Sequence, residues 1–76
     1  MNERLPSLKP KKVMQALKRA GFYQDHVRGS HYYFKHHDDD SLLVVVPYHN
    51  KDLKRGTLLG IIAQADMTVD EFIGYL

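Results

Sequence analysis

The chain has 76 residues, 43% of them hydrophobic and none of them cysteine; a chain this short buries only about 60% of the surface its unfolded form exposes, which excludes a deep substrate cavity, and disulfides and thiolate zinc sites are excluded as well. The N-terminal stretch Met1-Asn2-Glu3-Arg4-Leu5-Pro6 lacks the apolar run of a signal peptide, and no later run approaches the roughly 18 apolar residues of a membrane span, so one soluble, cytoplasmic domain over residues 1–76 is expected. The net charge of +2 is unevenly placed: residues 1–37 carry eight Lys or Arg against two acids, which leaves +6, and residues 38–76 carry three against seven, which leaves −4. A basic front half fits a polyanion partner, and the acidic second half argues against a surface that is basic all over.

Pro10 suits a first helical turn, and Val13, Met14, Leu17 and Ala20 recur at helical spacing. Gly21 stands where a left-handed C-terminal cap is expected, with Phe22 just beyond to fold back on Leu17. Phe22 to Arg28 reads as a weak first strand interrupted by Gln24, Asp25 and His26, which suits a sheet edge. Gly29-Ser30 reads as a hairpin corner, and His31 to His37 as an aromatic-rich second strand. Alternation puts His31, Tyr33 and Lys35 on one face, and Tyr32, Phe34 and His36 on the other.

The cluster Asp38-Asp39-Asp40-Ser41 predicts a turn, and Leu42 to Val46 a third strand covered on at least one side and ended by Pro47. Leu58, Ile61, Ile62 and Ala65 predict a buried helix face, starting at Gly56 or Thr57. Thr68 and Glu71 have capping-box spacing, flanked by Met67 and Phe72 at the staple positions, which predicts a last short helix from about Val69 to Leu76 that buries Val69, Phe72 and Ile73, with Leu76 a further candidate. The order helix, three antiparallel strands, helix, short helix predicts an α+β sandwich with the helices on one face of the sheet.

His31 is the leading candidate for chemistry, because a strand end beside a tight bend holds an imidazole in place while leaving it open to a ligand. His49 follows Pro47 at the end of the third strand and is placed to approach the same edge. The run His36-His37-Asp38-Asp39-Asp40 offers ligand types without the separated pairs a metal site needs, and is read as a solvated turn. Tyr32, Tyr33 and Phe34 are aromatic enough to stack on bases, but most of them are expected in the core.

Taken together, Leu17 with Ala20-Gly21-Phe22, then Gly29-Ser30-His31, Pro47-Tyr48-His49, Leu53, Gly56-Thr57-Leu58 with Ile61, and Gln64-Ala65 resemble the HicA-type toxins of toxin–antitoxin pairs. These are small mRNA interferases with a double-stranded-RNA-binding-like fold, and the likeness runs from about Leu8 to the C-terminus. Asp66 departs from the pattern, standing where the family usually has glycine, as does Gly60, which lies inside a helix normally free of glycine.

The resemblance implies that His31 is needed for RNA cleavage and that a HicB-type antitoxin covers it. The chemistry expected on that basis is metal-independent attack of a ribose 2′-OH on the adjacent phosphorus, with no cofactor. Histidine fits this work because its unperturbed pKa of about 6.5 gives it both protonation states near neutrality. Arg28, Lys35 and the backbone around Gly29 and Ser30 are expected to receive the phosphate, with His49 as a second acid/base or phosphate ligand. Lys9, Lys11, Lys12, Lys51, Lys54 and Arg55 are candidates for unspecific phosphate contacts. The competing reading is a non-catalytic module that holds double-stranded RNA, although Gly56 to Gly60 carries no lysine cluster of the kind such domains place at their last main helix.

Overall fold

The computed structural model describes residues 4–76; the leader expectation begins at Met1 and so falls partly outside the described residues. The elements are α1 (Pro10–Arg19), β1 (Phe22–Arg28), β2 (His31–His36), β3 (Leu43–Pro47), α2 (Arg55–Gln64) and α3 (Val69–Ile73). The strands form one antiparallel sheet in the order β1-β2-β3, and α1 and α2 pack on it, so the α+β order expected for a double-stranded-RNA-binding-like fold is the one observed. No helix among the described residues is long and apolar enough to cross a membrane.

Helix α1 starts on Pro10 and buries Val13, Met14, Ala16 and Leu17 against the sheet, while Lys18 and Arg19 face the negative end of its dipole. Gly21 follows with φ +101°, and a β-carbon there would lie 2.7 Å from Nε2 of His36. That closeness has a use. Nε2 of His36 donates to the Ala20 carbonyl (2.9 Å), its Nδ1 accepts from the Asp38 N–H (3.0 Å), and its ring meets Phe22 edge-on at 4.8 Å. His36 thus ties the end of α1 to the end of β2.

In β2 the alternating faces are sorted by burial: Phe34 is wholly buried and Tyr32 and His36 half-buried, while His31 is exposed on the other face. Phe34 meets Val44, Val46, Val13, Leu17, Leu58 and Phe72 in one core, and burying each side chain of this size contributes roughly 1.5–3 kcal/mol. Strand β1 pairs with β2 in one register from Phe22 to Gln24 and in another from His26 to Arg28, so Asp25 is an extra residue, a bulge. The polar stretch that weakens the strand in the sequence is where that bulge forms.

Some boundaries differ from expectation. Strand β2 ends at His36 rather than His37, although the His37 N–H still reaches the Gly21 carbonyl (3.0 Å). Strand β3 begins at Leu43 rather than Leu42, and Pro47 is its last paired residue, opposite His31. Proline is tolerated there because Leu43, Val45 and Pro47 turn their backbone groups to the outer edge, where the ladder needs no donor. On that edge the Val45 N–H donates to Oε1 of Gln64 (3.0 Å), which blunts it against further strand pairing.

Helix α2 starts at Arg55, a residue earlier than expected, because Arg55 donates to the buried Leu5 carbonyl (2.9 Å) and is held in place. The capping box before α3 is present: the Thr68 N–H donates to Glu71 (2.7 Å) and the Glu71 N–H to Thr68 (3.1 Å). Helix α3 stops at Ile73, three residues short of the expected Leu76, with Phe72 buried, Val69 and Ile73 only half-buried and Leu76 exposed. With Gly74 next and no further apolar partner to cover, the helix has nothing to gain by continuing. Asp66 has φ +58°, a left-handed conformation that explains why glycine suits this position.

Gly60 has no atom within 4 Å of where a β-carbon would lie. The variant Gly60→Ala should therefore gain about 0.5–1 kcal/mol in urea unfolding, whereas Gly21→Ala, strained in φ and crowded by His36, should lose about 1–3 kcal/mol.

Candidate nucleic-acid interface

The hairpin corner is a two-residue loop: Arg28 pairs with His31, and Gly29 between them takes φ +59°. A positive φ at the first loop residue is the type II′ pattern, which matches the twist of the strands it joins. No atom lies within 4 Å of the β-carbon position of Gly29, so the backbone here is open to a ligand.

His31 is exposed at the first position of β2, and among the described residues nothing bonds its ring. Arg28 is its direct cross-strand neighbour on the same face. Lys35 shares that face but stands four residues further along the strand, roughly 13 Å away, so it serves a different part of any ligand. Among the described residues neither Arg28 nor Lys35 enters an ion pair.

His49 lies in the exposed loop after β3, and this loop is bound to the corner: the Tyr48 N–H donates to the Ser30 carbonyl (2.7 Å). Tyr48 also lays its ring on Tyr32, with centroids 5.0 Å apart. Nδ1 of His49 accepts from the Lys51 N–H (3.1 Å), so the neutral ring carries its proton outward on Nε2. The structure therefore brings His31, Arg28, Gly29, Ser30 and His49 to one end of the sheet and leaves Lys35 towards the other.

The same end gathers further cations. The Leu53 N–H donates to the Leu8 carbonyl (2.8 Å), which joins the Tyr48–Lys54 loop to the segment entering α1 and puts Lys9, Lys51 and Lys54 in one neighbourhood, with Asp52 among them. Arg55, a candidate for phosphate contact, is exposed and donates from Nη1 to the Leu5 carbonyl.

The acidic turn lies at the opposite end of β2. There Asp39 accepts from both the hydroxyl and the N–H of Ser41, and these bonds hold its carboxyl below the ordinary value. His36 of the same run has both ring nitrogens committed to Ala20 and Asp38, so it is a structural tie and only the rest of the run is a solvated turn.

Tyr48 and His26 are contributors that sequence reasoning passed over. His26 stacks on Tyr33 with centroids 4.3 Å apart and planes 10° from parallel. The signal for Tyr48 was its place in the Pro47-Tyr48-His49 triplet; His26 carried none, because only the bulge brings it onto this face.

The family model described as the HicA toxin of bacterial toxin–antitoxin systems matches residues 10–67, from the first residue of α1 to the connection before α3. No curated protein matches the chain.

A carboxyl stabilised in its charged form contributes above the ordinary carboxylate range, and its contribution is lost as pH falls through the lowered value. Following the Asp39 carboxyl by NMR should show a depressed midpoint in the parent and a return towards the ordinary value in Ser41→Ala.

Proposed function

The chain belongs to the HicA toxin family of bacterial toxin–antitoxin systems, and from that premise we propose that residues 1–76 form one endoribonuclease domain, a cytoplasmic mRNA interferase whose catalytic base is His31. The observation that carries this reading is the exposed ring of His31, unbonded among the described residues, at a strand end with Arg28 paired directly across from it.

In the reaction, a ring nitrogen of His31 takes the proton of a ribose 2′-OH. The oxygen attacks the adjacent phosphorus as the bond from phosphorus to O5′ breaks, leaving a 2′,3′-cyclic phosphate on one product and a 5′-hydroxyl on the other. The departing O5′ needs a proton, and the imidazolium form of His49, the second histidine at this end of the sheet, is the donor, left as the neutral ring once the proton has gone. Negative charge on the non-bridging oxygens is met by the Arg28 guanidinium and by the open backbone at Gly29 and Ser30.

Lys35 is too far along β2 for the same phosphate and serves a neighbouring nucleotide. Lys9, Lys51 and Lys54 extend the basic end and make binding salt-dependent. As the toxin half of a toxin–antitoxin pair, the protein has a protein partner; a HicB-like antitoxin would inhibit it by covering His31 and the Gly29-Ser30 corner.

Purified protein is expected to cut single-stranded RNA in the presence of EDTA and to spare DNA of the same sequence, which lacks the nucleophile. His31→Ala should lower the rate at least about 100-fold, and Arg28→Ala up to roughly 100-fold, with product ends read by mass spectrometry. Binding without cutting by the parent would sink the nuclease reading and favour a non-catalytic RNA-binding module. In cells, expression of the parent should arrest growth and His31→Ala should not; equal toxicity of the two would remove His31 from the mechanism.

A further inference from the structure

The open face of the sheet carries a feature that a cleavage site by itself does not need. Beyond the Arg28/His31 pair comes the His26/Tyr33 pair, whose rings are stacked 4.3 Å apart and nearly parallel, and beyond that the Tyr23/Lys35 pair, with the Tyr23 ring 4.7 Å from that of His37. His26 and His37 are exposed and Tyr23 and Tyr33 half-buried, all of them away from the core. Aromatic and cationic side chains therefore alternate along one face from the candidate catalytic histidine to the far end of the strand.

We propose that this face is a stacking platform for single-stranded RNA, with the Tyr33 ring, held by His26, receiving the base of a nucleotide next to the one that reacts at His31. The proposal deepens the nuclease reading and rests on it for the position of the reacting phosphate. Tyr33 stands two residues from His31 on the same face, roughly 7 Å along the strand, about the reach of one nucleotide in an extended chain.

A base presents its flat face only when it is unstacked, so a stack built on the His26/Tyr33 pair would receive a single strand and not a duplex. Charge points the same way. Arg28 and Lys35 are free of ion pairs among the described residues, and the neighbouring carboxylate of Asp25 is occupied by the Nδ1–H of His26 at 2.8 Å. A second copy of this chain would bring like charges together, whereas a polyanion with flat rings matches both the cations and the aromatic faces. Stacking needs no base-specific hydrogen bond, so it positions the strand without reading its sequence.

The test uses the full chain carrying His31→Ala, so that the probe survives, and a fluorescein-labelled single-stranded oligoribonucleotide followed by anisotropy. Adding Tyr33→Ala is expected to weaken binding roughly 5- to 100-fold, the range of one base–aromatic stack, while Tyr33→Phe keeps it. Tyr33→Leu, which preserves bulk in the strand, should lose as much as the alanine variant.

A strand of the same length with abasic sites keeps its phosphates and should bind the Tyr33-intact protein about as weakly as the normal strand binds Tyr33→Ala; this arm does not depend on any variant folding. Equal affinity for normal and abasic strands, tighter binding of a duplex, or a Tyr33 variant that alters only self-association would overturn the platform. RNA cutting by the native protein together with unchanged affinity in the Tyr33 variants would overturn the platform and leave the nuclease. Tyr33-dependent binding with no cutting would do the reverse.

Discussion

One extra residue in β1 decides which side chains stand beside His31. Phe22 is buried, so simple alternation would carry Arg28 to the helix-covered face. The bulge at Asp25 shifts the pairing, and Arg28 comes directly opposite His31 on the open face, with His26 opposite Tyr33. A bulge costs ladder hydrogen bonds, and it occurs on an edge strand, where the loss is smallest. The juxtaposition of imidazole and guanidinium thus depends on a local irregularity held by the regular pairing on either side of it.

Strand parity also divides the work between histidines of β2. His31 and His36 are five positions apart and so face opposite sides of the sheet. His36 turns towards the helices, where Ala20, Asp38, Gly21 and Phe22 hold it in one orientation and make it a clasp between α1 and the sheet. His31 turns to the open side with no partner among the described residues. A buried Phe34 enforces both outcomes, since a slip of one residue would exchange the two faces and put a large apolar side chain in water.

Among the described residues one side of the sheet is uncovered, and a shallow face of this kind suits an extended polymer better than a small molecule. Cations at the corner end, rings along the middle and carboxylates in the distant β2–β3 turn give the face a direction. A polyanion lying across it would be drawn to the His31 end and repelled from the Asp38-Asp39-Asp40 turn. Gln64 and Pro47 close the outer edge of β3, which directs contact to the face instead of the rim.

The element order, the helix faces, the Gly29-Ser30 corner and the capping box at Thr68 and Glu71 were legible in the residues, because each rests on a short-range rule of periodicity, turn chemistry or capping. The residues also marked His31 through its place at the corner and the family motif around it. The meeting of segments across the fold decided that Arg28 faces His31, that His26 supports Tyr33, that Lys35 stands roughly 13 Å along the strand from His31, that Arg55 anchors Leu5, and that the loop with His49 is bonded to Ser30. These are consequences of pairing register and of chain segments meeting across the fold. A bulge changes the parity of every residue after it, and although the polar stretch Gln24-Asp25-His26 marks where the strand is weak, it does not say that one residue there is extra.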